Sequence, residues 1–422
     1  MNHSASEIRV TTAGNSRGLG RRPGPVQGYS LIIASCMPAL GAVLIAPVLP
    51  SMAGAFGSTP GVGVLIPLIL TIPALMIAVT SSIAGIILDR LGRKKVLLTA
   101  MILYAGFGTA PLWLDNLLAI LISRAGLGIC EAFILTGCLA LTAEYFQGPE
   151  REKYIGYQAG ISTLAATVFL LVGGLMGQFG WRAPFWLYGI SLLIGVAILF
   201  VIWEPERRAE GVRKVPTPWR LILVPCLVTL FGGLVFFTVV VHMPFVLTAL
   251  GMADPAAIGL ASAITAFAGA LASFGFRAVA RLGVTRLLTI AFSIAGIGFI
   301  VVWFAPTAVG AVVGAAIANF GAGLMLPTLV AWMVGRLPRE HMGAGSGALQ
   351  TSLWIGQFST SIIIGAVAAA LGGRLDVALG LLGLACLLAA VLTALLLRTG
   401  KATWGGTEES TSSTREETVG SL

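Results

Sequence analysis

The sequence predicts an all-α integral membrane protein with twelve transmembrane helices, and three observations lead to this fold class. First, 57% of the 422 residues are hydrophobic and only 10% are charged, whereas a soluble globular chain has about 25% charged residues. Second, the apolar residues form twelve segments, each near the roughly 20 residues that cross a bilayer. Third, Lys and Arg are concentrated in alternate connections between these segments. The bilayer is therefore the expected solvent of most of this chain.

Each apolar segment is predicted to be a helix, because a backbone in hydrocarbon must form its hydrogen bonds within its own segment. The first segment follows a polar, basic stretch and is longer than the core of about 7–15 residues in a secretory signal, so it is expected to be a true span. The predicted spans cover 29–51, 63–88, 96–113, 117–141, 155–179, 183–203, 221–249, 256–276, 287–304, 308–333, 345–370 and 376–397.

The basic residues predict the orientation of these spans. An even number of spans places both termini on one side, and that side carries the cations of both tails, of the 90–95 turn and of the central connection. The other side carries only Arg182 and Arg374. By the positive-inside rule both termini are expected in the cytoplasm, for a multi-pass protein of the bacterial inner membrane. The net charge of +9 then reflects topology and anionic lipid, and no nucleic-acid partner is expected.

A weak internal repeat divides the chain into two halves. The stretch "DRLGRKKVLL" at 89–98 resembles "ARLGVTRLLT" at 280–289, and internal repeats of this kind are typical of transporter folds. The charged, proline-bearing connection between the halves indicates a linker, and the polar C-terminus indicates disorder. The predicted organisation is a cytoplasmic tail at 1–28, a six-helix bundle at 29–203, a linker at 204–220, a second six-helix bundle at 221–398 and a disordered cytoplasmic tail at 399–422.

The turn between the second and third spans, "GIILDRLGRKK", concentrates charge between Gly85 and Lys95. The positive-inside rule explains the basic residues of this turn, but it does not explain the presence of its acidic residue or of its glycines. Together with "APVLP" closing the first span, "SRAGLGIC" opening the fourth and "GWRAPFWLY" leading into the sixth, this turn gives a chain that resembles the major facilitator superfamily over nearly all of 28–400. Within that family it resembles the drug/proton antiporter branch. The positions that match the family's loop signature are Gly85, Asp89, Arg90, Gly92, Arg93, Lys94 and Lys95, and the first five are the predicted cytoplasmic gate.

The resemblance implies transport by alternating access. It implies that Asp89 holds the cytoplasmic side shut against the N-terminus of a helix in the other half, here the span that begins at "GAGSG" (343–347). A carboxylate at a helix start is favoured by the helix macrodipole. A solvated loop acid is the alternative role for Asp89. The resemblance also gives Arg124, which matches the family's fourth-span arginine, a part in proton coupling.

Ionisable side chains inside spans suggest function, because they are costly there. Arg124 and Glu131 are seven residues apart in the fourth span, so they share one helix face about 10 Å apart and are expected to face the central cavity. Burial disfavours a charged carboxylate, which would make Glu131 a proton carrier. A permanently paired structural acid is the alternative for Glu131, and a capping or outward-reaching side chain is the alternative for Arg124.

The candidates for the substrate cavity are polar or aromatic side chains on several spans. His242 lies in the outer half of the seventh span, where a packing role competes with titration. The amides can bind substrate or bond between helices, and the aromatics can line the cavity or face lipid. These candidates are His242, Gln158, Asn319, Gln357, Trp354 and Phe236.

The predicted function is secondary active transport of a small organic solute, with proton-coupled efflux favoured, proton-coupled uptake as the alternative and a sensor or channel of the same fold as a remote one. The branch's Gly-Pro element in the fifth span is replaced by Phe169 and Leu170, and the first span has no acid, so a neutral or weakly acidic solute is favoured over a cation. The chain has three histidines and no HExxH, CxxC or Walker-type spacing, so no enzyme, metal or cofactor is predicted. The expected partners are the solute, protons and the bilayer, and a monomer is expected.

Overall fold

The computed structural model describes residues 23–205, 219–335, 337–338 and 341–398, and twelve helices in these ranges are long and apolar enough to cross a membrane. The predicted all-α fold class and the number of spans are confirmed. The spans, numbered α1 to α12, are Pro25–Ala55, Val62–Leu91, Arg93–Leu112, Leu117–Tyr145, Gly148–Gly177, Ala183–Val201, Leu221–Ala249, Pro255–Leu282, Val284–Phe304, Ala308–Val334, Met342–Ala370 and Leu375–Leu395. The predicted disordered tail, most of the N-terminal tail and most of the linker lie outside the described residues.

Three of the described spans are capped by the side chain of the residue directly before the helix. Asn116 accepts hydrogen bonds from two backbone N–H groups at the start of α4, Asp254 does the same for α8, and Thr307 accepts one at the start of α10. Each side-chain oxygen replaces a carbonyl partner that the first turn of a helix lacks. Since the capping residues directly precede apolar runs, the predicted and observed starts of these three helices agree to within one residue.

The first span differs from the single helix that was predicted, because prolines interrupt it. Proline has no N–H to donate, and its ring clashes with the preceding turn. Pro38, Pro47 and Pro50 each lie within the first two residues of a new helical piece. The span consists of the four consecutive pieces Pro25–Ser35, Met37–Val43, Ala46–Val48 and Leu49–Ala55. The bent span follows the core of the first half, where 83% of its most apolar stretch is buried.

The helices alternate in direction, so their turns lie at two opposite ends of the bundle. We call these the Gly57 end and the Gly92 end, after the α1–α2 and α2–α3 turns. One hydrophobic core belongs to α1–α6 and reaches α7 and α8 through Phe237, Val241 and Ala263. A second core belongs to α7–α12. The two sets of six helices therefore each have a core and also share packing with each other.

The two halves meet most closely toward the Gly57 end. At Gly174 in α5, an added side chain would collide with the backbone of Pro255 and Gly259 in α8. The Thr71 hydroxyl in α2 donates a hydrogen bond of 2.8 Å to the Ser361 hydroxyl in α11. Glycine thus allows the backbones of α5 and α8 to touch, and a hydroxyl pair joins α2 to α11.

The Gly92 end is less tightly closed. The Asp89 side chain at the end of α2 is 66% exposed, and Gly343 and Gly347 in the first turns of α11 are exposed. Tyr157, near the same end of α5, is also exposed. The end of α2 and the first turns of α11 are therefore accessible to solvent at the Gly92 end.

Candidate functional site

Arg124 in α4 is held by the end of α3 and by two aromatic rings. Its side chain is buried, and Nη2 donates hydrogen bonds of 2.8 Å to the carbonyls of Phe107 and Gly108. These carbonyls belong to the last helical turn of α3, which carries the negative end of the helix dipole. The guanidinium carbon lies 5.2 Å from the centre of the Phe185 ring and 4.9 Å from that of Tyr188, both in α6. The charge is therefore stabilised by dipoles and ring faces.

Glu131 is buried two turns further along α4, against α1. Its Oε1 atom has no hydrogen-bond partner among the described residues. That atom lies directly over Gly41 in α1, where an added Cβ would collide with it. No ion pair joins Glu131 to Arg124 in the described part of the chain, since seven residues of helix separate them by about 10 Å.

Two buried tyrosines lie between these charges. The Tyr104 hydroxyl in α3 donates a hydrogen bond of 2.6 Å to the Met37 carbonyl, beside the first break in α1. Its ring centre is 5.7 Å from that of Tyr188. Sequence reasoning missed both tyrosines and Gly41. A buried tyrosine needs a polar partner for its hydroxyl, but which span supplies that partner cannot be derived from spacing within one helix.

These residues form an enclosed pocket between α1, α3, α4 and α6 in the first half. Arg124 and Glu131 are each only 1% exposed, so the expectation that both face the central cavity is wrong for this structure. The physical reason is that backbone carbonyls and aromatic rings of α3 and α6 provide a polar environment for the arginine inside the half. We call this enclosed group the α4 charge pocket, defined by Arg124, Glu131, Tyr104, Tyr188 and Gly41.

The six predicted cavity residues have different surroundings. Gln158 donates a hydrogen bond of 2.8 Å to Thr142 within the first half, and Asn319 donates one of 3.1 Å to the Thr265 carbonyl within the second half. Both amides thus bond between neighbouring helices, which leaves their proposed contact with a solute untested. His242 is buried against α11.

The other three candidates lie at or near the contact between the halves. Phe236 in α7 is half-buried and packs against both hydrophobic cores. Gln357 is buried and Trp354 is half-buried, both on α11. Since α11 packs against α2 and α7, these side chains lie on helices that border the space between the halves.

The loop signature forms a charge network within the first half. Arg93 pairs with Asp89 at 2.9 Å and also with Glu144 of α4. The Glu204 carboxylate accepts hydrogen bonds of 2.6 Å and 3.0 Å from the backbone N–H groups of Arg93 and Lys94. Glu204, which we predicted only as part of the linker, therefore caps α3. An acidic residue just after the end of one span can cap the start of another helix, but the order of residues in the sequence does not show which helix it caps.

The two glycines and the aspartate of the loop signature have different structural roles. Gly92 has φ of 98°, a left-handed backbone conformation that lets α2 turn directly into α3. A side chain at Gly85 would meet open space. Among the described residues, no hydrogen bond or ion pair joins Asp89 to the start of α11, and its exposed carboxylate pairs with Arg93 in its own half. Arg90 lies in the last turn of α2.

The bundle thus has twelve spans, a charged pocket inside one half and a charged turn between α2 and α3. The family model of the Major Facilitator Superfamily matches residues 31–359. The chain belongs to this superfamily, as its loop signature indicated. The twelve spans and this family membership make it a multi-pass protein of the cell membrane, in a family of membrane transport proteins.

Known relatives and structures agree with this family. The chain is 25% identical over 249 residues to the multidrug efflux protein YfmO of Bacillus subtilis (strain 168), covering 57% of this chain and 60% of that protein. It is 24% identical over 199 residues to the quinolone resistance protein NorA of Staphylococcus aureus, covering 45% of this chain and 50% of that protein. The chain therefore spans about half to three fifths of the length of the curated relatives it matches.

A bacterial homologue of the human lysosomal transporter Spinster, solved in an inward-facing and occupied conformation, has a similar fold. The TM-score is 0.73 at 15% identity, and the match covers 92% of this chain and 100% of that chain. At this identity the likeness concerns the fold alone.

Proposed function

We propose that this protein exports a small organic solute across the cytoplasmic membrane by alternating access, driven by proton entry. The observation that carries the proposal is the α4 charge pocket, where Glu131 is buried, its Oε1 has no hydrogen-bond partner among the described residues, and a fixed arginine lies about 10 Å away on the same helix. A carboxylate in such a site binds a proton readily when enclosed and releases it when water reaches it. Access to water therefore controls its protonation.

Arg124 is suited to support this cycle without leaving its site. Its charge is held by two carbonyls of α3 and by two rings, so it stays in place whether Glu131 is ionised or protonated. An arginine about 10 Å away favours the ionised form of Glu131 through the low-dielectric interior. The pair thus balances burial, which favours protonation, against attraction, which favours release.

The positive-inside rule places the Gly92 end, and with it both termini, in the cytoplasm. In the proposed cycle an exported solute would enter from this end, where Asp89 and the first turns of α11 are exposed. Efflux and resistance in the names of the relatives support this direction. The absence of acids from α1 favours a neutral or weakly acidic solute. We retain a monomer of two bundles at 29–203 and 221–398 as part of the proposal.

For Asp89 we propose a role in the opposite conformation. When the Gly92 end closes, the exposed carboxylate would leave Arg93 and accept hydrogen bonds at the start of α11, where Gly343 leaves room for close approach. Asp89→Asn is expected to lower transport at unchanged membrane abundance, with Asp115→Asn, an exposed acid at the Gly57 end, as the matched control. Unchanged transport in Asp89→Asn would contradict this role.

The test of the main proposal is solute flux in proteoliposomes with an imposed pH gradient, using a panel of fluorescent drugs and labelled metabolites. Wild type is expected to move at least one compound against its gradient only when protons flow the other way. Glu131→Gln is expected to abolish that movement. Glu150→Gln, the same change at an exposed residue of α5, is expected to transport as wild type does.

Other outcomes decide between the alternatives. Accumulation in the direction of proton flow would identify proton-coupled uptake in place of efflux. Gradient-driven transport that persists in Glu131→Gln would show that Glu131 is a structural acid. Downhill movement of solute that ignores the pH gradient would contradict proton coupling.

A further inference from the structure

A buried group of polar side chains lies on the seam between the two halves. Thr71 of α2 donates to Ser361 of α11 at 2.8 Å. The hydroxyls of Thr238 in α7 and Thr360 in α11 are 2.5 Å apart. His242 of α7 places Nε2 3.4 Å from the Thr360 carbonyl oxygen. We call these five residues the seam cluster, and none of them is more than 2% exposed.

Of the contacts in the seam cluster, the Thr71–Ser361 bond crosses between the halves, whereas the Thr238–Thr360 and His242–Thr360 contacts lie within the second half. Thr71 belongs to the first half and the other four residues to the second, so separating α2 from α11 breaks the Thr71–Ser361 bond. The contact lies on the same side of the bundle as the backbone contact of Gly174 with Pro255. Opening the Gly57 end would therefore expose the seam cluster to water.

His242 has no charged neighbour within this seam. Its helix, α7, packs against α1, α2, α8, α10, α11 and α12. α1, α10 and α11 contain no Asp, Glu, Lys or Arg, and in the other three such residues lie only at or beyond the helix ends. Those terminal residues are Asp89, Arg90, Asp254, Arg277, Arg281, Arg374, Asp376 and Arg398. An imidazolium at position 242 would be a buried charge with no counter-ion, which is strongly unfavourable.

We propose that His242 is a proton-responsive latch, so that the Gly57 end closes only when its imidazole is neutral. A neutral ring can donate Nε2–H to the Thr360 carbonyl and remain in the dry seam. A protonated ring carries a charge and a second N–H, and hydration of both requires the seam to open. Lower pH on the Gly57 side therefore holds the carrier open toward that side. The inference rests on the alternation in the proposed function, but on neither Glu131 nor the solute.

The test measures a distance across the Gly57 end in the full chain, without solute. Spin labels are attached by Ser58→Cys and Ala253→Cys, two exposed positions on different halves, in a chain freed of its five native cysteines and placed in nanodiscs. Double electron–electron resonance is recorded from about pH 8 to about pH 5, the range in which histidine titrates. The population with the longer distance is expected to increase severalfold on acidification.

Variants decide which group is responsible. His242→Gln, which stays neutral and keeps a donor, is expected to lose the pH response. Thr229→Val, which removes a buried hydroxyl of α7 bonded only to its own helix, is expected to behave as the labelled parent. A pH response that survives in His242→Gln, or that is absent from the parent, overturns the proposal. A response lost in Glu131→Gln but kept in His242→Gln also overturns it and leaves proton-coupled export through Glu131 standing.

A second pair of variants tests the seam without changing the histidine. Thr71→Val is expected to enlarge the open population at every pH while the response to acidification remains. Thr71→Ser, which keeps the hydroxyl, is expected to restore the parent distribution. Identical distances in Thr71→Val and the parent would show that the cluster does not hold the two halves together, which overturns the latch.

Discussion

Replacement of Gly41 by alanine tests the position of Glu131 directly. The added methyl group would overlap Oε1 of Glu131 and would lie 3.0 Å from Leu127 Cδ2. The leucine methyl is the end of a flexible side chain and can move aside. The carboxylate lies between α1 and α4, so it must move to another rotamer or push the two helices apart. The variant therefore displaces the group that we propose to carry the proton.

The magnitude follows from two opposing effects. Overpacking a well-filled interior costs about 1–3 kcal/mol, whereas alanine in place of glycine inside a helix stabilises by about 0.5–1 kcal/mol. The net loss in free energy of unfolding is therefore about 0–2.5 kcal/mol. If the clash is relieved in one transport conformation only, a bias of about 1–3 kcal/mol corresponds to a shift of about 5–150-fold between conformations.

A double-mutant cycle isolates the clash. Thermal stability in detergent is measured for Gly41→Ala, Glu131→Ala and the double variant, together with proton-driven flux in liposomes for Gly41→Ala. We expect a coupling of about 1–3 kcal/mol, because alanine at 131 removes the atoms that the new methyl meets. Gly106→Ala in α3, where the methyl meets open space, is the matched control and should be neutral or stabilising. Equal destabilisation by Gly41→Ala with and without the Glu131 side chain would refute the placement.

Three further predictions follow from the contacts of α3, α5 and α4. Glu204→Ala should lower the free energy of unfolding by about 0.5–2 kcal/mol, because two N–H groups at the start of α3 lose their acceptor. Thermal unfolding is measured for this variant and for Glu150→Ala as the control. Equal stability of the two variants would contradict the prediction. Gly174→Ala should push α5 away from Gly259 and lengthen the distance across the Gly57 end; an unchanged spin-label distance would count against backbone contact there. Arg124→Lys keeps the charge but loses the planar guanidinium that bonds to the carbonyls of α3. Proton-driven solute flux in liposomes should therefore fall at least about tenfold. Flux equal to that of the wild type would contradict the need for a positioned guanidinium.

The sequence predicted the membrane fold well because bilayer thickness and backbone hydrogen bonding leave few alternatives. It predicted Arg124 and Glu131 as a functional pair because charge inside a span is costly. It did not predict that α3 carbonyls, rather than an acid, hold the arginine. That arrangement depends on which helices pack together, and periodicity within one span carries no information about its neighbours. The same limit hid Tyr104, Tyr188 and the cap formed by Glu204.

The sequence also does not show which partners the loop signature contacts in a given conformation. A motif that serves two conformations has two sets of partners, and one structure shows only one set. Here Asp89 is bonded to Arg93, its neighbour one helical turn away, so its predicted contact with α11 stays a prediction. The continuity of α1 was wrongly predicted for a different reason. Apolar composition set the length of that span, but its prolines decide where the helix breaks.

The attachment of Arg124 to α3 determines how voltage acts on the carrier. Its positive charge is fixed to the first half, so any rotation of that half moves the charge through the membrane field. With Glu131 ionised the two charges cancel, and with Glu131 protonated one positive charge remains. A unit charge that crosses the full field gains about 2.3 kcal/mol per 100 mV, and a partial crossing gains a proportional share. In the proposed cycle an inside-negative potential therefore accelerates or retards only the protonated half-cycle, so one step would be electrogenic and the other electrically silent.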